Sequence, residues 1–458
     1  REFGTIYEGL LESELSLAQV DLKVETIQQT NDVYVPASQG DEVCVRAGEA
    51  YLHNKSGSRK STGSYYTKAF AVEHLLNRAL EPAIQDHFNR LDELSDREAG
   101  MRFFEFRVAD IAMGSGHFLV AALDRIERRM VDYLATRPLP DVKDELSRLR
   151  KIALDNLGEN WSGEPIEDSQ LLRRQIARRC IFGVDLNEMA VELARVSLWI
   201  HTFVPGLPLS LMDQNLIQGN SLVGIATFSE ASYIIEDRSG GLFTKLTSER
   251  LNSLREPLLK LAKLTDANDA EIREARELYT KMQESISSEY SLLDILTASR
   301  TNEDLQQALA HGQILVEESE KHGDYPDKLT KVAKEELEGL DVLHFPLAFP
   351  HVFLGGRKGF DVIIGNPPWE EATLEEDAFW ARYFPGLRSL PQREQEARKA
   401  KYRREREDLV ELFEKEYEEA ESIRKLLVSG AFPGMGTGDP DLYKAFIWRF
   451  WHLVSPDK

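Results

Sequence analysis

Apolar positions change their spacing several times along the chain, and each change predicts an element. Phe3, Ile6, Tyr7, Leu10, Leu11 and Leu15 recur at helical intervals, which predicts an amphipathic helix over residues 3 to 17. Alternation follows around Val33 to Val35, at Val43 and Val45, and at Tyr51 to Leu52, and predicts a small hairpin. A polar loop, Lys55 to Ser64, leads into a helix from about Lys68 to Phe88. Short β-branched runs then stand at Phe106 to Ile111, Cys180 to Val184 and Asp361 to Gly365, and the first two feed directly into helical patterns. Strands alternating with helices imply an α/β fold with a mostly parallel sheet covered on both faces.

Long helical stretches interrupt that rhythm. Residues 242 to 311 hold no glycine and one proline, and Leu251, Leu254, Leu258 and Leu261 recur at helical steps, so a helical insertion is expected there. A second charged helical stretch runs from about Leu374 to Leu427. Its first half, Arg388 to Arg406, has eight basic and three acidic residues; Glu407 to Glu421 has net charge −7. Blocks of opposite charge suit either a solvated helix or a contact of the basic half with a nucleic-acid backbone. Near the C-terminus, Leu442, Phe446, Phe450 and Leu453 share one helical face, which should pack on the sheet.

Composition narrows the classes. With 458 residues, 42% hydrophobic and 29% charged, the chain is a folded globular protein of several domains or of one domain with insertions. The net charge of −22 argues against a surface that binds nucleic acid everywhere and leaves only local basic patches for that work. Two cysteines, Cys44 and Cys180, are too few for a disulfide framework or a cysteine-built zinc site, and fit a reducing, cytoplasmic setting. No apolar run reaches membrane-spanning length. A chain beginning at Arg1 and stopping at the turn-like Ser455-Pro456-Asp457-Lys458 reads as part of a longer polypeptide.

Three motifs carry chemistry. Ala109-Asp110-Ile111-Ala112-Met113-Gly114-Ser115-Gly116 joins a strand to a helix expected over Phe118 to Val131; its glycines permit a tight turn, and the helix start offers amides to an anionic ligand. Phe182-Gly183-Val184-Asp185-Leu186-Asn187 ends a second strand on a carboxylate. Such a group suits ribose hydroxyls and also suits an N-cap for a helix over Glu188 to His201. The 75 residues between Asp110 and Asp185 exceed the usual spacing of about 20, so helices within 124 to 178 must fill the gap. Third, Asp361-Val362-Ile363-Ile364-Gly365 runs into Asn366-Pro367-Pro368-Trp369. The two prolines remove donors and stiffen the chain, and the Asn366 amide and Pro367 carbonyl stand as acceptors beside an aromatic face. That set suits a planar group bearing an NH2.

Together with Gly63-Ser64-Tyr65-Tyr66-Thr67, these motifs resemble the amino-methylating DNA methyltransferases that use S-adenosylmethionine, and within them the large adenine-specific methylases of restriction-modification and phage-defence systems. Phe3 to Glu12, Gly183 to Ile200 with Ser197-Leu198-Trp199, Gly219-Asn220-Ser221-Leu222 and Phe345 to Phe353 share the resemblance. It implies a Rossmann-like class I methyltransferase with large helical insertions. The expected parts are an N-terminal helix and hairpin region (1–66), a cofactor-side half (67–224), a helical insertion (225–340), and a second half (341–458) carrying its own insertion at about 374–427.

The resemblance assigns Thr67 and the loop Asp110, Ala112, Gly114, Ser115 and Gly116 to the methionine end of S-adenosylmethionine. It gives the ribose to Asp185, the adenine face to Leu186 and the adenine edge to Asn220. Asn366 and Pro367, followed by Pro368, would hold the target amine, with Trp369 stacked on a flipped base. The implied partners are double-stranded DNA and, outside this segment, a restriction nuclease or defence subunits; specificity would lie in a recognition domain beyond Lys458. Lys68 stands where the family usually has proline, and Ile111 and Met113 replace proline and cysteine, yet none of these removes a ligand-contacting side chain. His117 reads as a helix-start residue. Cytosine, guanine in RNA or protein glutamine present a similar NH2, and a cofactor-sensing scaffold is the rival outside catalysis.

Overall fold

The computed structural model describes residues 13–18, 20–27, 31–37, 40–54, 67–158, 161–209, 212–239, 260, 264–310, 327–353, 358–384, 387–435 and 440–455. The leucine repeat from Leu251 to Leu261, the loop Lys55 to Ser64 and Phe3 to Glu12 lie outside them. The chain divides into two compact units, one drawn from Arg1–Tyr66, Pro368–Lys425 and Gly436–Tyr443, the other from Thr67–Pro367, Leu426–Met435 and Lys444–Lys458.

In the first unit, strands β1 (Ser13–Leu17), β2 (Leu22–Ile27), β3 (Asn31–Pro36) and β4 (Ala50–Asn54) form two antiparallel pairs, β1 with β4 and β2 with β3. The helix expected over 3 to 17 is therefore wrong at its C-terminal end. Ser13–Leu17 is a strand whose Leu15 pairs with Leu52, and cross-strand partners far along the chain outweigh the local helical spacing. The predicted hairpin is present at β2–β3, with Val45 bridging to Leu22 rather than forming a longer strand. The charged stretch is helical, as its pattern predicts, over Glu376–Tyr383, Gln392–Glu405 and Glu407–Leu426, broken at Arg406. Phe379, Trp380, Leu387 and Leu409 form a small core there, and Phe384 stacks on Tyr402 with ring centroids 3.5 Å apart.

The second unit is an α/β fold. Its parallel sheet contains β5 (Val108–Asp110), β6 (Ile181–Asp185), β7 (Leu216–Gln218) and β8 (Val362–Ile363) in the order β7-β6-β5-β8. Val108, Ala109, Ile181 and Phe182 are fully buried, as expected for strands covered on both faces. Three helices, His117–Thr136, Pro140–Leu157 and Asp168–Cys180, fill the long gap between β5 and β6. The expected helix from 68 to 88 forms as Ala69–Leu75 and Glu81–Asp92 around one wide π-helical turn, Leu76–Leu80, next to Pro82, which has no amide hydrogen to give.

After β7 the chain makes a helical excursion that includes Asp269–Ser285, Ser287–Ala298 and Glu303–Ala310, then returns on the other side of β5 as β8. The helix Leu442–Leu453 forms as predicted, with Phe446 and Leu453 buried. The chain leaving it bridges Val454 to Phe360, beginning a further parallel pairing beside β8. Asp361 fastens β8 to β5: its carboxylate accepts from the Arg107 amide at 3.0 Å and from Arg90 at 3.2 Å. No described helix is long and apolar enough to cross a membrane.

Candidate active site

In a parallel sheet every strand ends on the same edge, and here those ends carry the polar residues. Asp110 pairs with Gly183 in register and Asp185 pairs with Gln218, so both carboxylates stand where their strands stop. β5 lies between β6, reached by one excursion, and β8, reached by another; this switch point in an open sheet opens a crevice at the carboxyl ends of the strands.

The turn after β5 is built on left-handed glycines, with φ of 53° at Gly114 and 79° at Gly116. A Cβ at Gly116 would also lie 3.1 Å from that of Ala194, so the turn can press against the helix Glu188–His201 only without a side chain. The Met113 amide donates to the Val184 carbonyl at 3.0 Å, and the Gly114 amide donates to Asp185 Oδ2 at 2.8 Å. Ser221 Oγ donates to the Ile111 carbonyl at 2.6 Å and brings the Asn220 loop to the same turn. Asn220 itself is held by its amide, which donates to Asp341 at 2.7 Å, while its side-chain oxygen caps the Leu222 amide. Thus Asp110, Gly114, Asp185 and the Asn220 loop meet.

Asp185 does not cap the following helix. Asn187 does, accepting from the Met189 and Ala190 amides, while Asp185 Oδ1 accepts the Asn187 amide at 2.9 Å. His117 opens the helix His117–Thr136, as its position predicts.

A buried carboxylate, Asp110, beside a half-buried one, Asp185, at one edge is costly, and among the described residues no Lys or Arg nitrogen lies within 4.0 Å of either. Burial above all, helped by the charge of Asp185, pushes Asp110 up to about 8, although the Ala112 amide donates to Oδ1 at 3.1 Å and opposes the rise. Burial likewise raises Asp185, against the pull of the Asn187 and Gly114 amides. Asp110 Oδ2 is buried with no hydrogen-bond partner. An acceptor left in that state suits a ligand bringing a cation or several donors.

β8 ends against Asp110. The Ile364 amide donates to the Ala109 carbonyl at 2.9 Å, and a Cβ on Gly365 would stand 2.5 Å from Asp110 Oδ1. Gly365 is thus required by the carboxylate, a role that its place in the sequence pattern did not reveal. Half-buried Asn366 and Pro367 follow directly.

Thr67 is half-buried just before the helix Ala69–Leu75 and makes no hydrogen bond to the glycine turn. Leu186 is 52% exposed. Pro368 and Trp369 belong to the first unit, where Trp369 is 65% exposed and stacks on Tyr443 with centroids 5.5 Å apart. The Leu442 amide donates to the Glu370 carbonyl and the Ala372 amide to that of Pro440, each at 2.8 Å, and these bonds fix the aromatic pair. No local signal in the sequence marks Tyr443 as an aromatic partner.

Arg449 is a second residue the sequence pattern misses, because it sits among apolar positions of its helix. It is fully buried, and its Nη2 donates to the Leu222 carbonyl at 2.9 Å and the Gly224 carbonyl at 3.2 Å, just past Asn220. Glu230 faces it at 3.8 Å and pairs with Arg300 at 2.6 Å; the two arginines help hold Glu230 below the usual carboxylate range against burial, which works the other way. His344 Nδ1 accepts the Ile225 amide at 3.1 Å, so its proton lies on Nε2, which donates to Asp294 at 3.0 Å; burial keeps the ring neutral.

The family model described as "Eco57I restriction-modification methylase" matches residues 179–457. The chain is 24% identical over 368 residues, 68% of its own length, to a Methanocaldococcus jannaschii protein named "Putative type II restriction enzyme and methyltransferase RM.MjaORFECS2P". It spans 28% of that relative's length. No solved structure matches the chain.

Proposed function

Because the chain belongs to the Eco57I restriction-modification methylase family, we propose that it transfers a methyl group from S-adenosylmethionine to the N6 amine of adenine in double-stranded DNA. The observation that carries this reading is the meeting of Asp110, with its buried unpartnered Oδ2, the glycine turn and Asp185 at the edge where Asn366 follows β8. S-adenosylmethionine fits that edge chemically. Its ammonium gives Asp110 the partner it lacks, its ribose hydroxyls suit the lone pairs of Asp185 not used by backbone amides, and Asn220 and Leu186 take the adenine.

The cofactor supplies an electrophilic methyl group on a sulfonium, and the chain's residues supply position. An exocyclic amine is a poor nucleophile because its lone pair is delocalised into the ring. Asn366 Oδ1 and the Pro367 carbonyl accept its two hydrogens and favour a pyramidal nitrogen with its lone pair aimed at the methyl. Transfer would join the methyl carbon to that nitrogen at the expense of its bond to sulfur, and the surplus proton would leave the nitrogen for solvent. The amine is out of reach inside a duplex, so the base must swing out, and Trp369 offers it an aromatic face. Residues Thr67 and Pro368 complete the roles through their places in the motifs.

Transfer of labelled methyl to DNA, RNA and protein in parallel, with mass analysis of the product nucleoside, tests the reading. N6-methyladenine from duplex DNA is the expected product. N4-methylcytosine alone, methylated RNA or methylated glutamine would replace the substrate, and cofactor binding without any transfer would favour a sensing scaffold.

A further inference from the structure

The basic run from Arg388 to Arg406 is not used by the chemistry above, and most of its charge is internally spent. Arg388 pairs with Glu375 at 2.6 Å, Arg406 with Asp408 at 2.7 Å, and Arg403 with Glu376. Lys399 is buried, 2.6 Å from both Asp377 and Glu396, and Lys401 lies 3.8 Å from Glu405. Arg393, Arg398 and Arg404 remain. All three are exposed, and among the described residues no carboxylate lies within 4.0 Å of any of them.

These three belong to the helix Gln392–Glu405, whose inner side is fixed by the Tyr402 stack and by Lys399. Arg393 and Arg404 are three turns apart and share one side, about 16 Å along the axis. Exposed Ala397 lies between them and keeps that side low, whereas Arg398 stands about 140° round the helix from Arg393, toward the Tyr402 side. Glu394 is the one carboxylate of the helix with no paired cation among the described residues. On a chain of net charge −22, a strip of uncompensated arginine is a departure from the general surface. Nearby, the first fifteen residues of Glu407–Leu426 carry net charge −7 and bound the strip.

Guanidinium groups match phosphate oxygens in a two-pronged geometry, and duplex DNA offers a charge about every 1.7 Å of axis, so a three-turn strip meets several phosphates. We infer that the outer side of Gln392–Glu405 grips the DNA backbone through Arg393 and Arg404. This rests on the reading of the chain as a DNA methyltransferase. The strip carries no base-reading chemistry, so its contribution is independent of sequence.

The test is the salt dependence of DNA binding by the protein carrying Arg393→Gln and Arg404→Gln together, and each substitution singly. Each lost contact should lower the slope of log affinity against log salt by about 0.9, and the double by about 1.8. Between 50 and 200 mM salt the parent-to-variant affinity ratio should then fall about 12-fold. Cofactor affinity and circular dichroism should not change. A control with Arg388→Gln and Arg406→Gln removes the same charge from paired positions and should leave the slope much closer to the parent. An unchanged slope in the first double, or an equal drop in the control, overturns the inference while leaving the methyltransferase reading intact. A parent that binds no DNA overturns both.

Discussion

Replacing Asp110 by asparagine should strengthen the ligand-free fold and weaken binding of S-adenosylmethionine. The carboxyl titrates near 3.8 when unfolded and at about 8 when folded, so the native state holds the proton more tightly across that interval. The group's contribution is therefore fully favourable below the unfolded value and is lost as pH rises through the folded one. The slope between the two is about 1.4 kcal/mol per pH unit, which accumulates to about 4 kcal/mol at pH 7. Asparagine keeps an oxygen for the Ala112 amide but leaves a buried NH2 without a partner, at a cost of about 1–3 kcal/mol. The net expectation is a gain of about 1–3 kcal/mol at pH 7, growing toward pH 8 and vanishing near pH 5.

Urea unfolding of parent and variant from pH 5 to 8 measures this. The difference between the two proteins is the quantity to follow, because buried His344 and His351, both held neutral in the fold, make the parent more stable as pH rises toward the ordinary histidine range. With S-adenosylmethionine at a hundred times its Kd, the parent should gain about 2.7 kcal/mol, and the variant, lacking a charge for the ammonium, much less. A variant less stable than the parent at pH 8, or a difference that does not change with pH, would refute the account of Asp110.

Asp185→Ala should weaken cofactor binding by about 1.5–3 kcal/mol in calorimetry, and the loss includes a glycine turn freed from its Gly114 anchor. Unchanged affinity would remove Asp185 from the site. Asn366→Ala should keep cofactor affinity and lose methyl transfer, whereas Trp369→Ala should cost about 1–3 kcal/mol in capture of an extrahelical base, read by fluorescence of a base analogue. If both methylate duplex DNA at the parent rate, the target pocket lies elsewhere. Arg449→Met leaves two carbonyls beside Asn220 without their donor and Glu230 with Arg300 alone, so urea unfolding should show a loss of about 1–3 kcal/mol; no measurable loss would make Arg449 incidental.

By itself the sequence determined the parts whose signals are local. A buried strand ending on a polar residue and a glycine turn announces itself within ten residues, so β5, β6 and β8 and the motifs at their ends were legible, as were the charged helices and the helix Leu442–Leu453. Tertiary structure decided whatever depends on partners distant along the chain. Ser13–Leu17 became a strand because Ala50–Asn54 pairs with it, and Asn187 rather than Asp185 took the helix cap because the Asp185 carboxylate was drawn to the Gly114 amide and to that of Asn187. Gly365 matters because Asp110 lies behind it, Tyr443 because Trp369 leans on it, and Arg449 because carbonyls more than two hundred residues earlier accept its protons. Periodicity reports which face of an element is buried, but a buried charge or a missing Cβ is explained only by the atoms that folding brings against it.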